Sequence, residues 1–349
     1  MIRMADILKK QADTKEVYDH LLKKEEEKVE NKVEKKIEDI VSTMEHGKIY
    51  NREELEKIYF VIGDFIEYTY DKIKNGKTIN GKDEEYLYLY IETFVDQLLQ
   101  GNDELLALFN LPSKGIYLYN HISNVCILAI DVGIGLGYDR DRLIRLGVIA
   151  MLHDIGTTKY YDLITKPRKL TEKEYSDVKS HTTNVREYLS HLKDDKEMIE
   201  WLNSVSIQNT PPDLDLQKKH DKKTEESISI ITIVEVYEAM THMRPHREKI
   251  HPFEALRELI DKKSSYEERI LKILIERIGG PYPVDSYVKM NSGEDGRVVK
   301  RNLGFLLRPV IKITHDVNGN RVEDTKIIDL IKQPNQFIKR HLKDEEMNQ

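Results

Sequence analysis

The adjacent residues His153 and Asp154 offer two side chains that commonly bind divalent metal ions. They end the almost wholly apolar run 145–152, which predicts a buried helix. An unpaired buried carboxylate is costly, and a metal ion satisfies the imidazole and the carboxylate together. Gly156 then provides a typical helix end. Taken alone, such a pair has a structural role more often than a catalytic one.

Three further predicted helices each turn a potential metal ligand toward the core. His121 opens a helix whose apolar residues form an inward stripe. His181 lies on the apolar face of a helix that Thr171 and Glu174 begin as a capping box. Glu235 shares the apolar face of another predicted helix. Because four separate structural roles explain this convergence poorly, the sequence predicts a metal centre.

These motifs, in this order, resemble the HD-GYP branch of the HD superfamily of metal-dependent phosphohydrolases. The resemblance covers about 111–259 and rests on the segments 121–125, 146–156, 166–171, 179–181, 233–239 and 244–247. It implies a helical domain that binds two or three divalent metal ions, usually iron or manganese. It also implies hydrolysis of cyclic di-GMP, a bacterial second messenger, to the linear dinucleotide or to GMP. The tail around 307–310 resembles tails attached to some members.

The resemblance assigns metal-binding roles to individual residues of this chain. His121, His153 and Asp154 match metal ligands, and Asp154 is the residue expected at the catalytic centre. His181 matches a ligand of the second metal. Glu235 stands where the family has an aspartate ligand. Glutamate keeps the carboxylate but is one methylene longer, so we expect the first site to persist with altered geometry.

Three basic residues match the part of the family that holds the substrate. Arg244 and Arg247 match residues that bind the phosphates of the dinucleotide, a role that suits a planar guanidinium. Lys166 is expected to line the same pocket. These matches predict cyclic di-GMP or a related nucleotide as the ligand.

The sequence also departs from the family pattern at three places. Thr157 replaces the lysine that follows His-Asp-Ile-Gly, and Gln208-Asn209-Thr210 stands where the family has His-His-Glu. The Gly-Tyr-Pro loop is replaced by a polar stretch that begins with 211–213. Losing a group that only supports a ligand typically lowers metal affinity or activity about 10–100-fold, so losing two ligands should cost more. We therefore expect about one metal ion per chain rather than two or three.

Three functions stay open at this point. The chain is a phosphodiesterase with a reduced site, or a degenerate member that binds a nucleotide or no ligand and acts through regulatory partner proteins. The third reading is an inert scaffold that acts through dimerisation and partner proteins. Measurements of hydrolysis, nucleotide binding and metal content distinguish these three hypotheses.

The elements that must position these residues predict a mainly α chain. We expect a helical N-terminal region over 1–110, an HD-GYP-like domain over 111–281 and a small antiparallel β appendage over 282–349. Helices are predicted at Glu53–Lys74 and Glu84–Leu108, and β-like runs at 287–290, 297–299 and 310–313. The Lys/Glu-rich segment 13–47 has apolar residues at helical spacing. It is expected to pack on its own domain or to pair with a second subunit as a homodimer.

The composition restricts the class of protein to which the chain can belong. Of the 349 residues, 34% are charged and 39% hydrophobic, which predicts a soluble globular protein. The net charge of −7 gives no overall signature of DNA binding. No apolar run approaches the ~20 residues of a membrane span, so we expect a cytoplasmic protein. The single cysteine, Cys126, excludes an intrachain disulfide and is expected to be buried.

Overall fold

The computed structural model describes most of the chain. The described residues are 31–79, 81–111, 117–154, 160, 163, 166, 168, 170–179, 222–242, 249–322, 326–342 and 346. The helices are α1 (31–41), α2 (Arg52–Lys74), α3 (Gly81–Leu99), α4 (Glu104–Ala107), α5 (Tyr117–Gly135), α6 (Arg140–Leu152), α7 (Glu172–Lys179), α8 (Lys222–Thr241), α9 (Pro252–Asp261) and α10 (Glu268–Arg277). The strands are β1 (Tyr287–Met290), β2 (Asp295–Lys300), β3 (Val310–His315), β4 (Ile327–Asp329) and β5 (Ile338–His341). This confirms the predicted helical chain with a β appendage.

Helix α5 lies at the centre of the helical part. It contacts α2, α3, α6, α8 and α10, and every residue from 121 to 133 is buried. A helix that is apolar on all sides is typical of such a central position. Cys126 is fully buried here, as expected. The helix begins at Tyr117, so the prediction that His121 opens it was wrong, and His121 lies in its second turn.

Helix α6 brings the predicted His-Asp pair into the core. It begins where the Asp139 side chain accepts a hydrogen bond from the Arg142 amide at 2.8 Å. Its apolar face packs on α5 and α3, and residues 146–152 are all buried, which confirms the predicted buried helix. The helix ends at Leu152, so His153 and Asp154 follow directly at its buried end.

The N-terminal helices pack against the same core. Helix α1 covers the described part of the Lys/Glu-rich segment, and its Ile37 is 1% exposed. The α1 side chains Glu34 and Lys36 contact Tyr68 and Asp64 of α2. These contacts agree with packing on its own domain for this part of the segment, while 13–30 lies outside the described residues. In the part of the chain that the structure describes, no helix is long and apolar enough to cross a membrane.

The helix that the sequence predicts at Glu84–Leu108 is shorter in the structure. Helix α3 ends at Leu99 rather than continuing to Leu108, because Gly101 follows in the left-handed conformation (φ +71°) that glycine adopts readily. Only the short α4 and a 3₁₀ turn, Leu108–Asn110, continue toward α5.

The C-terminal strands form one five-stranded antiparallel sheet in the order β4-β3-β2-β1-β5. Alternate residues of the strands point into a small separate hydrophobic core. That core consists of Val288, Met290, Val298, Ile311, Ile313, Ile328 and Leu330. The three predicted strands are present. Strands β4 and β5 were not predicted, because β4 has only three residues and three of the four residues of β5 are polar.

Arg301 joins the sheet to the helical part of the chain. It follows β2 and is 6% exposed. Its backbone N–H and Nε each donate to Asp103 at 3.0 Å, and its Nη2 donates to Asp131 of α5 at 2.9 Å. Arg277 of α10 also donates to Asp131, at 3.1 Å. Two arginines and two aspartates therefore form a buried ion cluster between the sheet and the helices.

Candidate metal centre

Three of the predicted ligands come together in the core. His121 of α5, His153 after α6 and Glu235 of α8 each offer a ligand atom, and these atoms all lie within 4.8 Å of one another. Both histidines are buried, with exposures of 4% and 0%, and their ring centroids are 5.9 Å apart. Glu235 is half-buried. The three helices thus place two imidazoles and one carboxylate around one point.

The hydrogen bond of His153 determines which nitrogen it presents. Its Nδ1 lies 2.6 Å from the carbonyl oxygen of Ala150, one turn earlier in α6. A carbonyl oxygen can only accept, so Nδ1 carries the proton and Nε2 presents its lone pair. The same Nε2 lies 3.6 Å from Oδ2 of Asp154. This arrangement orients the ring for metal binding through Nε2.

His121 is oriented by a carboxylate that was not predicted from the sequence. Its Nδ1 contacts the buried side chain of Glu238, which lies three residues after Glu235 on α8. Asn124 donates to the same carboxylate at 3.1 Å, and Tyr59 in turn donates to Asn124 at 2.7 Å. Metal-binding histidines usually donate their other ring nitrogen to such a carboxylate. The contact leaves Nε2 of His121 as its ligand atom.

The charge of Glu238 is stabilised despite its burial. Burial alone would raise its pKa, but His121, His242 and Asn124 together hold the pKa of Glu238 well below its usual range. Nδ1 of His242 lies 3.3 Å from Glu238, and its Nε2 lies 2.8 Å from the carbonyl oxygen of Phe109. Glu238 is therefore the negative centre of a buried polar network behind the three candidate ligands.

Asp154 lies at the border of this group. It is 9% exposed, and its Oδ2 lies 3.6 Å from Nε2 of His153. The structure thus places both members of the predicted pair at the same end of α6. The assignment of Asp154 as ligand and catalytic residue stays a prediction.

Lys166 contacts an acidic residue in this structure. Its ammonium lies 2.6 Å from Glu174, which also receives two hydrogen bonds from Arg168 at 2.8 and 2.9 Å. The backbone N–H of Thr171 donates to Glu174, and the Thr171 hydroxyl accepts from the Glu174 N–H, which confirms the predicted capping box. Arg168 and Lys166 hold the pKa of Glu174 well below its usual range. The expected phosphate contact of Lys166 stays a prediction.

The remaining predicted positions lie outside the described residues. They are the proposed ligand His181, the phosphate-binding residues Arg244 and Arg247, and the departures from the family pattern at Thr157 and at 208–213. Their roles stay predictions.

The described residues fit a divalent metal ion. Two imidazoles held with Nε2 as ligand atoms, together with one carboxylate, form a donor set typical of zinc, iron or manganese. Glu238 and the Ala150 carbonyl support the two histidines from behind, as in many metal sites. This support distinguishes the group from three side chains that merely lie close together.

Comparison with known proteins agrees with this geometry. The profile of the HD domain matches residues 118–274, and that of a KOW domain associated with HD domain matches 287–349. Residues 118–274, a little under half of the chain, thus correspond to an HD domain. It is also similar to the cyclic di-GMP phosphodiesterase PA4108 of Pseudomonas aeruginosa, with 25% identity over 241 residues. The match covers 67% of this chain and 56% of that relative, and no solved structure matches significantly.

Proposed function

We propose that this chain binds cyclic di-GMP at a single-metal HD site and hydrolyses it weakly at most. The observation that carries the proposal is the convergence of His121 on α5, His153 directly after α6 and Glu235 on α8, with a supporting group behind each histidine. The similarity to a cyclic di-GMP phosphodiesterase supports the choice of ligand. The proposal places the protein in bacterial cyclic di-GMP signalling.

The residues of this chain would prepare a phosphodiester for attack by water. A bound divalent ion supplies positive charge for the phosphoryl oxygens and lowers the pKa of a water molecule. His121, His153 and Glu235 would hold the ion, with Asp154 as a further ligand. Arg244 and Arg247 would bind the phosphates through paired N–H groups. The buried histidines also exclude water from the side of the site that faces the core.

Weak hydrolysis follows from the departures at the second metal position. Gln208 and Asn209 are poor substitutes for imidazole and carboxylate ligands, and Thr157 cannot supply the positive charge of a lysine. A mechanism with two metals about 3.5–4 Å apart stabilises both the attacking and the leaving oxygen. With one ion, only part of that stabilisation is available, so we expect binding to persist where turnover is slow.

The test combines calorimetry with a hydrolysis assay on the full chain. Cyclic di-GMP should bind in the presence of Mn²⁺, and the linear dinucleotide or GMP should accumulate slowly. The double variant His153→Ala, Asp154→Ala should lose both signals. His46→Ala is the matched control, because its side chain is 73% exposed and distant in sequence from the site motifs. Absence of binding heat with the wild type, or full activity in the double variant, would contradict the proposal.

Dimerisation through the N-terminal helices is a separate proposal. Helix α1 of that region already packs on α2, so a dimer that involves α1 would have to use its outer face or the segment before it. Light scattering of the full chain and of a variant that lacks 1–30 tests this. A monomer at micromolar concentration would contradict it.

A further inference from the structure

Tyr70 carries a buried hydroxyl group that forms no hydrogen bond with the described residues. It lies on α2, before the region that matches the HD domain, and it is 4% exposed. Within the part of the chain that the structure describes, its hydroxyl has no hydrogen-bond partner. Leaving a buried hydroxyl without a partner costs free energy, so such groups usually have a function or a ligand.

The position of Tyr70 connects it with the metal centre. It lines a small cavity together with Met151 and Leu152, the two residues directly before His153 and Asp154. Its ring also packs edge-on against the ring of Tyr119, with 6.1 Å between the ring centroids. Tyr119 lies on α5, two residues before His121. The side chain thus approaches the end of α6 from the N-terminal helices.

Asp154 lies two residues after Leu152, which lines the cavity together with Tyr70. Burial raises the pKa of Tyr70 well above its usual value, and the negative charge of Asp154 raises it further. The hydroxyl therefore keeps its proton and acts as a donor. The nearby carboxylate of Asp154 is an acceptor, and hydrogen bonds from O–H groups to carboxylates are among the stronger ones in proteins.

We propose that Tyr70 is a positioning residue that donates a hydrogen bond to the carboxylate of Asp154 when Asp154 holds a metal ion. Carboxylate ligands commonly need such a bond to fix the oxygen that does not face the metal. The N-terminal region would then supply part of the HD site rather than only covering it. The inference rests on the proposed function, since it requires Asp154 to bind metal.

The test compares Tyr70→Phe with wild type as full-length protein. Calorimetry with Mn²⁺ gives the affinity, and thermal unfolding gives the melting temperature with and without Mn²⁺. Tyr70→Phe should weaken Mn²⁺ binding about 10–100-fold. The metal-free variant should melt at the wild-type temperature or above, because it loses a hydroxyl that pairs with none of the described residues. A merely structural hydroxyl would give the opposite pattern, with a lower metal-free melting temperature and unchanged affinity.

Tyr90→Phe is the matched control. Tyr90 of α3 is fully buried, and its hydroxyl also has no hydrogen-bond partner in the described residues. The charged group that acts on it is Asp64 rather than Asp154. This variant should keep wild-type affinity for Mn²⁺. Equal Mn²⁺ binding by wild type and Tyr70→Phe would overturn the role of Tyr70 alone, whereas no Mn²⁺ binding by wild type would overturn the proposed function as well.

Discussion

At the scale of single residues, Glu238 orients the candidate ligand His121. Its carboxylate holds Nδ1 of His121 and accepts a hydrogen bond from Asn124. These contacts fix the imidazole in one tautomer and one orientation, which lowers the cost of binding an ion. Glu238 therefore supports the candidate metal site without being one of its candidate ligands.

Glu238→Gln should weaken Mn²⁺ binding about 10–100-fold. The amide keeps the size of the side chain but lacks the charge that pairs with His121, and its NH₂ group cannot accept from Asn124. Metal titration by calorimetry measures the change. Glu226→Gln on the same helix is the control, because Glu226 instead contacts Arg142 and Tyr138. Unchanged affinity in Glu238→Gln would show that His121 is positioned by packing alone.

The candidate ligands were predictable at this scale, whereas the residues that support them were not. His153 and Asp154 end an apolar run, and Glu235 lies on an apolar helical face, so local patterns selected them. Glu238 acts on His121, which lies 117 positions away in the chain, and only the packing of α8 against α5 brings them together. One signal was present, since Glu235 and Glu238 are three residues apart and lie near each other on one helix.

At the scale of elements, the close packing of α6 depends on a glycine. A Cβ added at Gly147 would lie 2.5 Å from Cγ2 of Ile91 on α3 and 3.2 Å from Cδ1 of Ile130 on α5. The bare backbone lets α6 approach both helices. This approach determines where the end of α6 places His153 and Asp154.

Gly147→Ala should therefore destabilise the protein by about 1–3 kcal/mol through overpacking. Alanine is the better helix former by roughly 1 kcal/mol, so a favourable change would be expected without the contacts. Gly63→Ala in α2 is the matched control, since the added Cβ would meet only Oδ1 of Asn120 at 3.8 Å. Urea unfolding should show a loss for Gly147→Ala and a small gain for Gly63→Ala. Equal changes in both variants would contradict this account.

Some elements were predictable because their patterns are long. Helix α6 and the strands β1, β2 and β3 each carry a recognisable apolar pattern, and they lie where the sequence predicted them. The end of α3 and the strands β4 and β5 depend on single turns and on pairing with neighbours. Such features leave little local pattern to detect.

At the scale of the whole molecule, the buried cluster around Arg301 joins the two parts of the chain. Arg301 pairs with Asp103 and Asp131, which lie 198 and 170 positions away. Without Arg301, the buried negative charges of Asp103 and Asp131 would lose one of the positive charges that neutralise them. No local pattern identifies these partners, so this link could not be predicted from the sequence.

Arg301→Ala should lower the free energy of unfolding by about 3–5 kcal/mol, the usual cost of removing one partner from a buried ion pair. Arg297→Ala is the control, because Arg297 pairs with Asp285 at 2.8 Å in a more exposed position of the same sheet. Such exposed pairs contribute about 0–1 kcal/mol. Urea unfolding followed by circular dichroism measures both. A loss for Arg301→Ala no larger than that for Arg297→Ala would show that the cluster does not hold the sheet to the helices.

The central claim concerns one metal ion held by His121, His153 and Glu235. The most direct measurement is the metal content of full-length protein after loading with Mn²⁺ and desalting, determined by mass spectrometry. We predict about one ion per chain for the wild type and a marked loss for Glu235→Gln, which keeps the size of the side chain but lacks the carboxylate. A wild type without metal, or full metal content in Glu235→Gln, would contradict the account.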